Sequence, residues 1–202
     1  MTNKISKHDG NLLLKLARKS ILQKFEQKKA DTKDNTIESL KNKVSSQILN
    51  EKRGTFVTLH KNKQLRGCIG NIEPVKNIFT GILDNAKHAA FSDTRFSPLS
   101  YEELDQTDIE ISILTQPEKI NYKDSHDLIS KLKPGIDGVI IQKGYKSATF
   151  LPQVWDSLKD HESFLTHLCA KAGLSSDAWK SGDLEVSVYQ VQLFEEPPCD
   201  RP

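Results

Sequence analysis

The chain has 202 residues, of which 36% are hydrophobic and 28% charged, which is typical of one domain with a hydrophobic core of its own. No apolar run approaches the roughly 18–20 residues that cross a bilayer, and residues 1–10 lack the apolar stretch of a signal peptide. The three cysteines form no CxxC pair and no even framework, which argues against a disulfide scaffold and favours a reducing, cytoplasmic location.

The net charge of +2 hides an asymmetry along the chain. Residues 1–63 carry 15 Lys and Arg against 6 Asp and Glu, whereas residues 64–202 carry 14 against 21. A basic N-terminal third favours nucleic acid or another polyanion as a partner. The alternative is a solvated, lysine-rich helix face, because aromatic side chains for base stacking do not alternate with these lysines.

Apolar residues at helical spacing predict two helices in the N-terminal region. The first spans residues 9–28 and the second residues 36–49, and the polar segment 30–35 is predicted to be a loop. We assign residues 1–53 to a lysine-rich helical part.

A β-hairpin follows the two predicted helices. Residues 55–60 are rich in β-branched and aromatic side chains and predict a strand, and residues 64–70 form the predicted return strand. The turn places Asn62-Lys63 where Asn-Gly is the favoured pair, so the sequence leaves the register of the hairpin open.

The middle of the chain alternates between helix and strand patterns. Residues 75–91 predict a helix with Pro74 in its first turn, and residues 92–104 are irregular. Residues 108–114 alternate isoleucine with polar side chains, which predicts a strand with one buried face.

The C-terminal half predicts further helices and a second hairpin. Helices are expected over residues 125–132 and 161–172, a hairpin from residues 139–142 and 148–151, and one long strand over residues 184–194. Hairpin-short connections between strands favour an α+β fold with a mostly antiparallel sheet flanked by helices.

The segment LRGCIG, residues 65–70, is the most informative motif. On a strand Arg66 and Cys68 share one face, and a cation beside a thiol favours the reactive thiolate. Gly67 and Gly70 cost strand stability, so we expect another group to approach the backbone closely there.

Cys68 is the catalytic candidate, as a nucleophile or a redox thiol. A base would have to come from elsewhere in the fold, with His60 on the paired strand and His88 on the next helix as the nearest candidates. The alternative is that Cys68 is a small hydrophobic residue of the sheet.

Two arginines are candidates for an anion-binding site with Gly67 and Gly70. The guanidinium groups of Arg66 and Arg95 match carboxylate or phosphate geometry. For Arg95 the alternative is a local bridge to Asp93 that fixes the loop.

Glu110 and Gln153 complete the candidate binding residues. Glu110 lies on the polar face of a predicted strand, where it is either a general base or arginine partner, or a solvent-exposed or structurally paired carboxylate. Gln153 follows a predicted strand and either offers its amide to a ligand or satisfies a structural turn.

Motifs for metals and nucleotides are missing from the sequence. The six histidines are scattered without HxxxH or HExxH spacing, and there is no P-loop and no GxGxxG. We therefore predict no metal site and identify no cofactor.

Four ordered blocks of the sequence resemble the AMMECR domain family. They are LRGCIG at 65–70, AAFSDTRFSPLSYEEL at 89–104, IEISILTQPEKI at 109–120, and FLPQVW at 150–155 with FLTHLCAKAGLSSDAW at 164–179. The match covers about residues 54–195 and is much more specific than any single motif.

The resemblance implies an α+β domain with two lobes and a cleft between them, the larger lobe being formed from both ends of the chain. Residues 1–53 would belong to the larger lobe and residues 54–195 would be the two-lobed core. Independently of the resemblance, Pro197-Pro198 predicts that residues 196–202 are a mobile tail. The resemblance also implies a site at the RGCIG motif, and Memo-like and radical-SAM proteins as partners.

The family supplies no established reaction, so two functions remain open. The first is an enzyme, or a component of an enzyme system, with a cleft site centred on LRGCIG. The second is a non-catalytic binding or adaptor module for a protein or nucleic-acid partner.

Overall fold

The computed structural model describes residues 4–26 and 37–197. Within them the chain forms two compact units, each with a sheet and a hydrophobic core of its own. The first unit joins the described residues up to Leu114 with those from Gln192 onward, and the second comprises Thr115–Val191. Antiparallel strand pairs with helices packed against them confirm the predicted α+β class.

The sheet of the first unit has four strands. They are β1 (Thr55–Lys61), β2 (Gln64–Asn71), β3 (Thr107–Leu114) and β8 (Val191–Glu195). They lie in the order β2-β1-β3-β8, so β2 is an edge strand. The helices of this unit are α1 (Lys7–Glu26), α2 (Ile37–Lys41), α3 (Ser46–Asn50), α4 (Ile78–Phe91) and α5 (Tyr101–Leu104).

The core of the first unit lies on one face of this sheet, under α1 and α4. Alternation along β1 buries Val57 and Leu59 on that face and turns Thr58 to the other. The amide of Asn85 on α4 donates a 2.9 Å hydrogen bond to the carbonyl of Thr55, which fixes the helix to the strand. The isoleucines predicted to face inward are buried as expected: Ile109, Ile111 and Ile113.

The hairpin of β1 and β2 closes with a two-residue turn. Asn62 and Lys63 have φ values of 52° and 62°, the signature of a type I′ turn even though lysine stands where glycine is favoured. The turn pairs Lys61 with Gln64 and so fixes the register that the sequence left open.

A β-bulge interrupts the hairpin one pair further along. Leu59 pairs with Gly67, but His60 pairs with Leu65. Arg66 is therefore an extra residue on β2, and such an insertion re-aims the side chain it carries.

The single helix predicted over residues 36–49 is wrong. The described residues form the two short helices α2 and α3 instead. Extended backbone at Ser45 (ψ 122°) separates them. There the amide of Ser45 donates a 3.4 Å hydrogen bond to Asp9 of α1, so a tertiary contact interrupts a continuous helical pattern.

The predicted start of the fourth helix is also wrong. α4 begins at Ile78 rather than at residue 75, because the side chain of Asn77 accepts a 2.8 Å hydrogen bond from the amide of Thr80 as an N-cap. Pro74 therefore lies before the helix. Within the segment predicted to be irregular, a capping box between Ser100 and Glu103 forms α5.

The second unit is built around another four-stranded sheet. Its strands are β4 (Glu118–Ile120), β5 (Gly138–Lys143), β6 (Lys146–Phe150) and β7 (Glu185–Tyr189), in the order β4-β7-β5-β6. Its helices are α6 (Ser125–Lys131), α7 (His161–Lys171) and the 3₁₀ turns Pro152–Asp156 and Ala178–Lys180. Trp155 stacks on Phe164 with ring centroids 3.7 Å apart in the core.

The last long strand predicted, over residues 184–194, is wrong. It divides at Gln190 into β7 of the second sheet and β8 of the first. The amide of Gln190 bonds the hydroxyl of Thr115, and its side chain reaches Asp137. These bonds leave Gln190 outside the hydrogen-bonded ladders of both sheets. The segment that reads as one strand in the sequence therefore contributes one strand to each sheet.

The remaining expectations concern the tail, the loop at residues 30–35 and membrane-spanning helices. Glu196, assigned to the tail from sequence, forms an ion pair with Arg18 and accepts a hydrogen bond from the amide of Ile109. The loop predicted at residues 30–35 and the tail residues from 198 onward lie outside the described residues. In the described part of the chain, no helix is both long and apolar enough to span a membrane.

Candidate functional site

Three polar side chains from neighbouring strands form a row on the face of the first sheet opposite the core. Thr58 of β1 pairs with Cys68 of β2 on one side and with Glu110 of β3 on the other. Residues directly opposite one another in antiparallel strands share a face and have Cβ atoms about 5 Å apart. These three partly exposed residues therefore form one polar strip, which we call the Cys68 row.

The thiol of Cys68 is free and has a hydrogen-bond partner. The hydroxyl of Thr58 lies 3.3 Å from the sulfur and donates to it. Such a donor stabilises a thiolate more than a neutral thiol, because hydrogen bonds to an ionised acceptor are the stronger ones. Sequence reasoning missed Thr58, since only the hairpin register reveals it.

The backbone of Cys68 is held from the side of the sheet that has no neighbouring strand. Its amide donates to Asp93 Oδ2 at 2.9 Å, and its carbonyl accepts from Arg95 Nη2 at 3.3 Å. Both groups thus point away from β1, which makes Thr58 and Cys68 a non-hydrogen-bonded pair. In such pairs the Cα atoms come within about 4.5 Å, which explains the contact of the two side chains.

Asp93 and Arg95 also form the bridge that the sequence offered as the alternative for Arg95. Arg95 donates from Nε to Oδ1 at 3.0 Å and from Nη2 to Oδ2 at 2.7 Å. These hydrogen bonds hold the pKa of Asp93 far below its usual range, and the same contact raises the pKa of Arg95. The Asp93 side chain is 4% exposed and that of Arg95 is 54% exposed.

Arg66 is engaged by a different carboxylate. It donates to both oxygens of Glu103 and to the carbonyl of Ser97, and its side chain is only 11% exposed. With Lys61 as a second donor, these bonds lower the pKa of Glu103 to about 2. The structure therefore gives Arg66 and Arg95 separate carboxylate partners, and an anion would have to compete with Glu103 for Arg66.

Glu110 stands at the other end of the Cys68 row, beside a pocket of about 250 Å³ that His60, Asp108 and Glu195 also line. Burial raises the pKa of Glu110, His60 opposes that rise, and Glu195 adds to it. A carboxyl group with a raised pKa is suited to exchanging protons closer to neutral pH.

Contacts within the chain itself explain why the motif has glycine at positions 67 and 70. A Cβ on Gly67 would lie closer than 3.0 Å to the carbonyl oxygen of Ala89 on α4, and one on Gly70 would overlap the ring of Phe56. The close approach expected from the sequence is thus made by the chain's own helix and aromatic ring. As ligand-binding residues both glycines stay a prediction.

The two histidines considered as bases lie on different sides of the sheet. His60 is two residues from Thr58 on the same strand and therefore shares its face. His88 is exposed on α4, which packs against the core face. His60 is consequently the histidine nearer to the Cys68 row.

Gln153 belongs to the second unit, where it is exposed in the 3₁₀ turn that follows β6. The spacing of Cys169 with Phe164, Leu165 and Leu168 on the predicted helix 161–172 predicts a core position for it, and Cys169 is fully buried in that unit. Cys199 lies outside the described residues.

Among residues 4–26 and 37–197, no group of three or more His, Cys, Asp or Glu side chains is placed to hold a metal ion. What the first unit offers is a free thiol, a hydroxyl, a half-buried carboxyl and a pocket. These groups are suited to nucleophilic and proton-transfer chemistry.

Comparison with known proteins places the chain in context. The AMMECR1 family model matches residues 14–194. A protein of Methanopyrus kandleri is 37% identical over 210 residues, covering 100% of this chain and 95% of the relative. A protein of Methanothermobacter thermautotrophicus is 36% identical, covering 95% of this chain and 96% of that one.

A solved structure shares the fold. The crystal structure of an uncharacterized protein from Pyrococcus horikoshii matches with a TM-score of 0.77 and 35% identity. The match covers 99% of this chain and 97% of that one. The α+β arrangement inferred from the sequence is therefore that of a known structure.

Proposed function

This chain belongs to the AMMECR1 family, and from that premise we propose that it is a thiol-dependent enzyme, or the thiol-bearing component of one, with Cys68 as its nucleophile. The observation that carries the proposal is the Cys68 row. A free, partly exposed thiol accepts a hydrogen bond from Thr58 on the sheet face that the core leaves uncovered.

Thr58 is assigned the role of stabilising the thiolate. A neutral hydrogen bond is worth about 0.5–1.5 kcal/mol, and one to a charged group is worth more. Thr58 pairs with both Cys68 and Glu110 in the sheet, and its hydroxyl is therefore the group through which we propose that a proton passes between thiol and carboxyl.

Glu110 is assigned the role of proton acceptor and donor. It lies two strands from Cys68, which separates the two backbones by roughly 10 Å, so the proton must travel through the Thr58 hydroxyl or a water molecule. Its raised pKa matches a group that takes a proton and returns it. The sulfur would add to an electrophilic carbon, and the displaced electron pair would receive that proton.

A redox function for Cys68 receives less support. A dithiol mechanism needs a second accessible thiol, and Cys169, the other cysteine in the described residues, is fully buried. A free nucleophilic thiol is also consistent with the reducing cytoplasm that the cysteine content favours, and we propose that location.

Alkylation by iodoacetamide tests the nucleophile. In a Cys199→Ser background, we expect mass spectrometry to find rapid modification of Cys68 and none of Cys169 while the protein is folded. Thr58→Val should slow the modification of Cys68 at neutral pH about 3- to 10-fold. Thr58→Ser keeps the hydroxyl and is the matched control. Failure of Cys68 to react over hours at pH 9 would remove the proposal.

A binding or adaptor role is the second candidate, and one observation favours it. Leu65 lies on the edge strand β2, Arg95 binds that strand at Cys68, and Tyr101 lies on α5, whose Glu103 binds Arg66 of β2. Leu65 and Tyr101 are 43% and 55% exposed, and such a mixture of apolar, aromatic and arginine side chains is common in protein interfaces. A Memo-like or radical-SAM protein would be the partner. Co-elution with such a protein, abolished by Leu65→Asp and Tyr101→Asp but kept by Cys68→Ser, would favour this role over thiol chemistry.

A further inference from the structure

We propose that Asp93 and Arg95 are positioning residues for Cys68, which together clamp its backbone at the sheet edge and balance the charge around its sulfur. The part that concerns thiol reactivity rests on the proposed function, while the clamp itself rests on geometry alone. Neither residue is assigned any contact with a substrate.

The clamp takes the place of a missing neighbouring strand. An edge strand presents amide and carbonyl groups that no ladder satisfies. At Cys68 the carboxylate of Asp93 satisfies the amide and the guanidinium of Arg95 satisfies the carbonyl. The Asp93–Arg95 ion pair thus makes the two backbone hydrogen bonds at Cys68 that a fifth strand would otherwise make.

The clamp is rigid because several bonds fix it. Asp93 accepts hydrogen bonds from the amide and the side chain of Arg95, so the carboxylate is fully engaged. The next residue toward the turn, Gly67, seats β2 directly on the backbone of Ala89. Edge strand and loop therefore hold the Cys68 sulfur in reach of the Thr58 hydroxyl.

The clamp also places opposite charges against the backbone of the residue that carries the thiol. Asp93 opposes a thiolate and Arg95 favours one, and the interaction with Cys68 contributes to the raised pKa of Arg95. The other charged or titratable groups around this part of the sheet are Arg66, bound to a carboxylate of its own, and Glu110 and His60 on the same face. Removal of either member of the pair leaves the charge of the other uncompensated.

Hydrogen exchange tests the mechanical half of the proposal. In Asp93→Ala we expect the amide of Cys68 to exchange at least 10-fold faster than in the unaltered protein. The amide of Ile69 is the internal control, because the alternation of the ladder directs it toward β1. Unchanged exchange at Cys68, or equal acceleration at both amides, would overturn the clamp.

The pH dependence of alkylation tests the electrostatic part of the proposal, the charge balance around the Cys68 sulfur. Arg95→Met should move the midpoint of the rate–pH curve of Cys68 upward by about 0.5–1 pH unit, and Asp93→Asn should move it downward. Arg95→Lys should restore most of the difference, since it returns the charge. Loss of packing alone would not shift the two variants in opposite directions.

The failures of the two proposals can be told apart. If Cys68 of the unaltered protein is alkylated but both variants keep its midpoint, the charge balance is wrong while the nucleophile stands. If Cys68 never reacts, the nucleophile is wrong, and hydrogen exchange alone decides the clamp. Asp93→Asn, which keeps the shape of the side chain, protects the outcome against misfolding of the alanine variant.

Discussion

At the scale of single residues, the pKa values of two carboxyl groups of the first unit, Glu103 on α5 and Glu110 on β3, are shifted in opposite directions. Arg66 and Lys61 donate to Glu103 and lower its pKa, whereas burial raises the pKa of Glu110. The difference follows from their surroundings, because two cations donate hydrogen bonds to Glu103, whereas among residues 4–26 and 37–197 no cation donates one to the half-buried Glu110. Sequence alone shows two glutamates in polar surroundings and gives no sign of the difference.

Glu103→Gln should destabilise the protein at neutral pH and not in strong acid. The pKa of Glu103 falls from 4.5 to about 2 on folding. Its stabilising contribution is therefore complete above pH 4.5 and disappears as the pH falls toward 2. We expect a loss of about 1–2 kcal/mol at pH 7 after allowance for solvent screening, measured by urea unfolding at several pH values.

The control for that measurement is Glu185→Gln, which removes a solvent-exposed pair with Lys119. Exposed pairs contribute little to stability, so this variant should match the unaltered protein throughout. A loss at Glu103 that persists undiminished at pH 2 would show that packing, and not charge, is responsible.

Glu110→Gln should have the opposite effect on stability. Since burial raises the pKa of Glu110, the folded protein favours its protonated form, and stability is lost as the pH rises through that pKa. The neutral amide avoids this loss, so the variant should be more stable than the unaltered protein at pH 7 and should gain less at pH 4. Thermal unfolding at the two pH values checks the sign.

The same variant carries information about function. If Glu110 exchanges protons with Cys68, the Glu110→Gln variant should be at least as stable as the unaltered protein. Its Cys68 should nevertheless be alkylated more slowly at neutral pH. Glu118→Gln, at an exposed position on β4, is the control. A gain in stability without a loss of thiol reactivity would show that Glu110 has no part in proton transfer at Cys68.

At the scale of elements, the placement of the site depends on how β2 meets its neighbours. β1 gives Cys68 its hydroxyl partner, α4 takes the space at Gly67, and the loop after α4 supplies Asp93 and Arg95. The β-branched and aromatic residues of segment 55–60 predicted the first strand of the hairpin, and the polar turn after it predicted residues 64–70 as the return strand. These patterns could not predict the bulge at Arg66, because a bulge depends on the pairing and not on the strand itself.

Gly67→Ala should be strongly destabilising. The added methyl group would meet the carbonyl oxygen of Ala89 closer than 3.0 Å, and helix backbone cannot give way as a flexible side chain can. We expect a loss of about 2–3 kcal/mol, in the upper range for overpacking. Far-UV circular dichroism during denaturant unfolding measures it.

Gly144→Ala is the matched control for that substitution. It lies in the β5–β6 turn with nothing within 4 Å, but its φ of +59° is left-handed. Its cost should be the backbone strain alone, about 1 kcal/mol. Equal losses at the two glycines would mean that no steric contact with α4 limits position 67.

At the scale of the whole molecule, the chain divides its apolar residues between two cores. The first is mainly aliphatic, around α1 and α4, and the second is centred on Trp155, Phe164 and Trp179. Helical and strand periodicity predicted many residues of the first core as buried, among them Ile109, Ile111 and Ile113, but did not predict Trp155 and Trp179 in the second. It did not predict which core each residue would join, because a local burial pattern contains no information about which distant segments meet in the fold.

Phe164→Ala should remove a large part of the stability of the second core. Phe164 is fully buried and stacked on Trp155, so its truncation should cost about 3–5 kcal/mol. Both tryptophans of the chain lie in this core, and their fluorescence therefore reports its unfolding. Tyr145→Ala, at a fully exposed turn position, should change the midpoint very little.

The sequence by itself determined the α+β class, the hairpin that carries the motif, the buried face of β3, the core position of Cys169 and the resemblance to a family. Each of these depends on side-chain period, turn residues or ordered motifs, which are local properties of a chain. It also put Cys68 forward, from its neighbours Arg66 and the glycines.

Only the tertiary structure decided what surrounds that thiol. Thr58 and Asp93 contact Cys68 from 10 and 25 positions away, and the arginine next to it in sequence is bound to Glu103 instead. The break of one predicted strand between two sheets and of one helix into two was likewise decided by strand pairing and tertiary contacts. Such contacts depend on which segments meet in space, and no local pattern of residues records that.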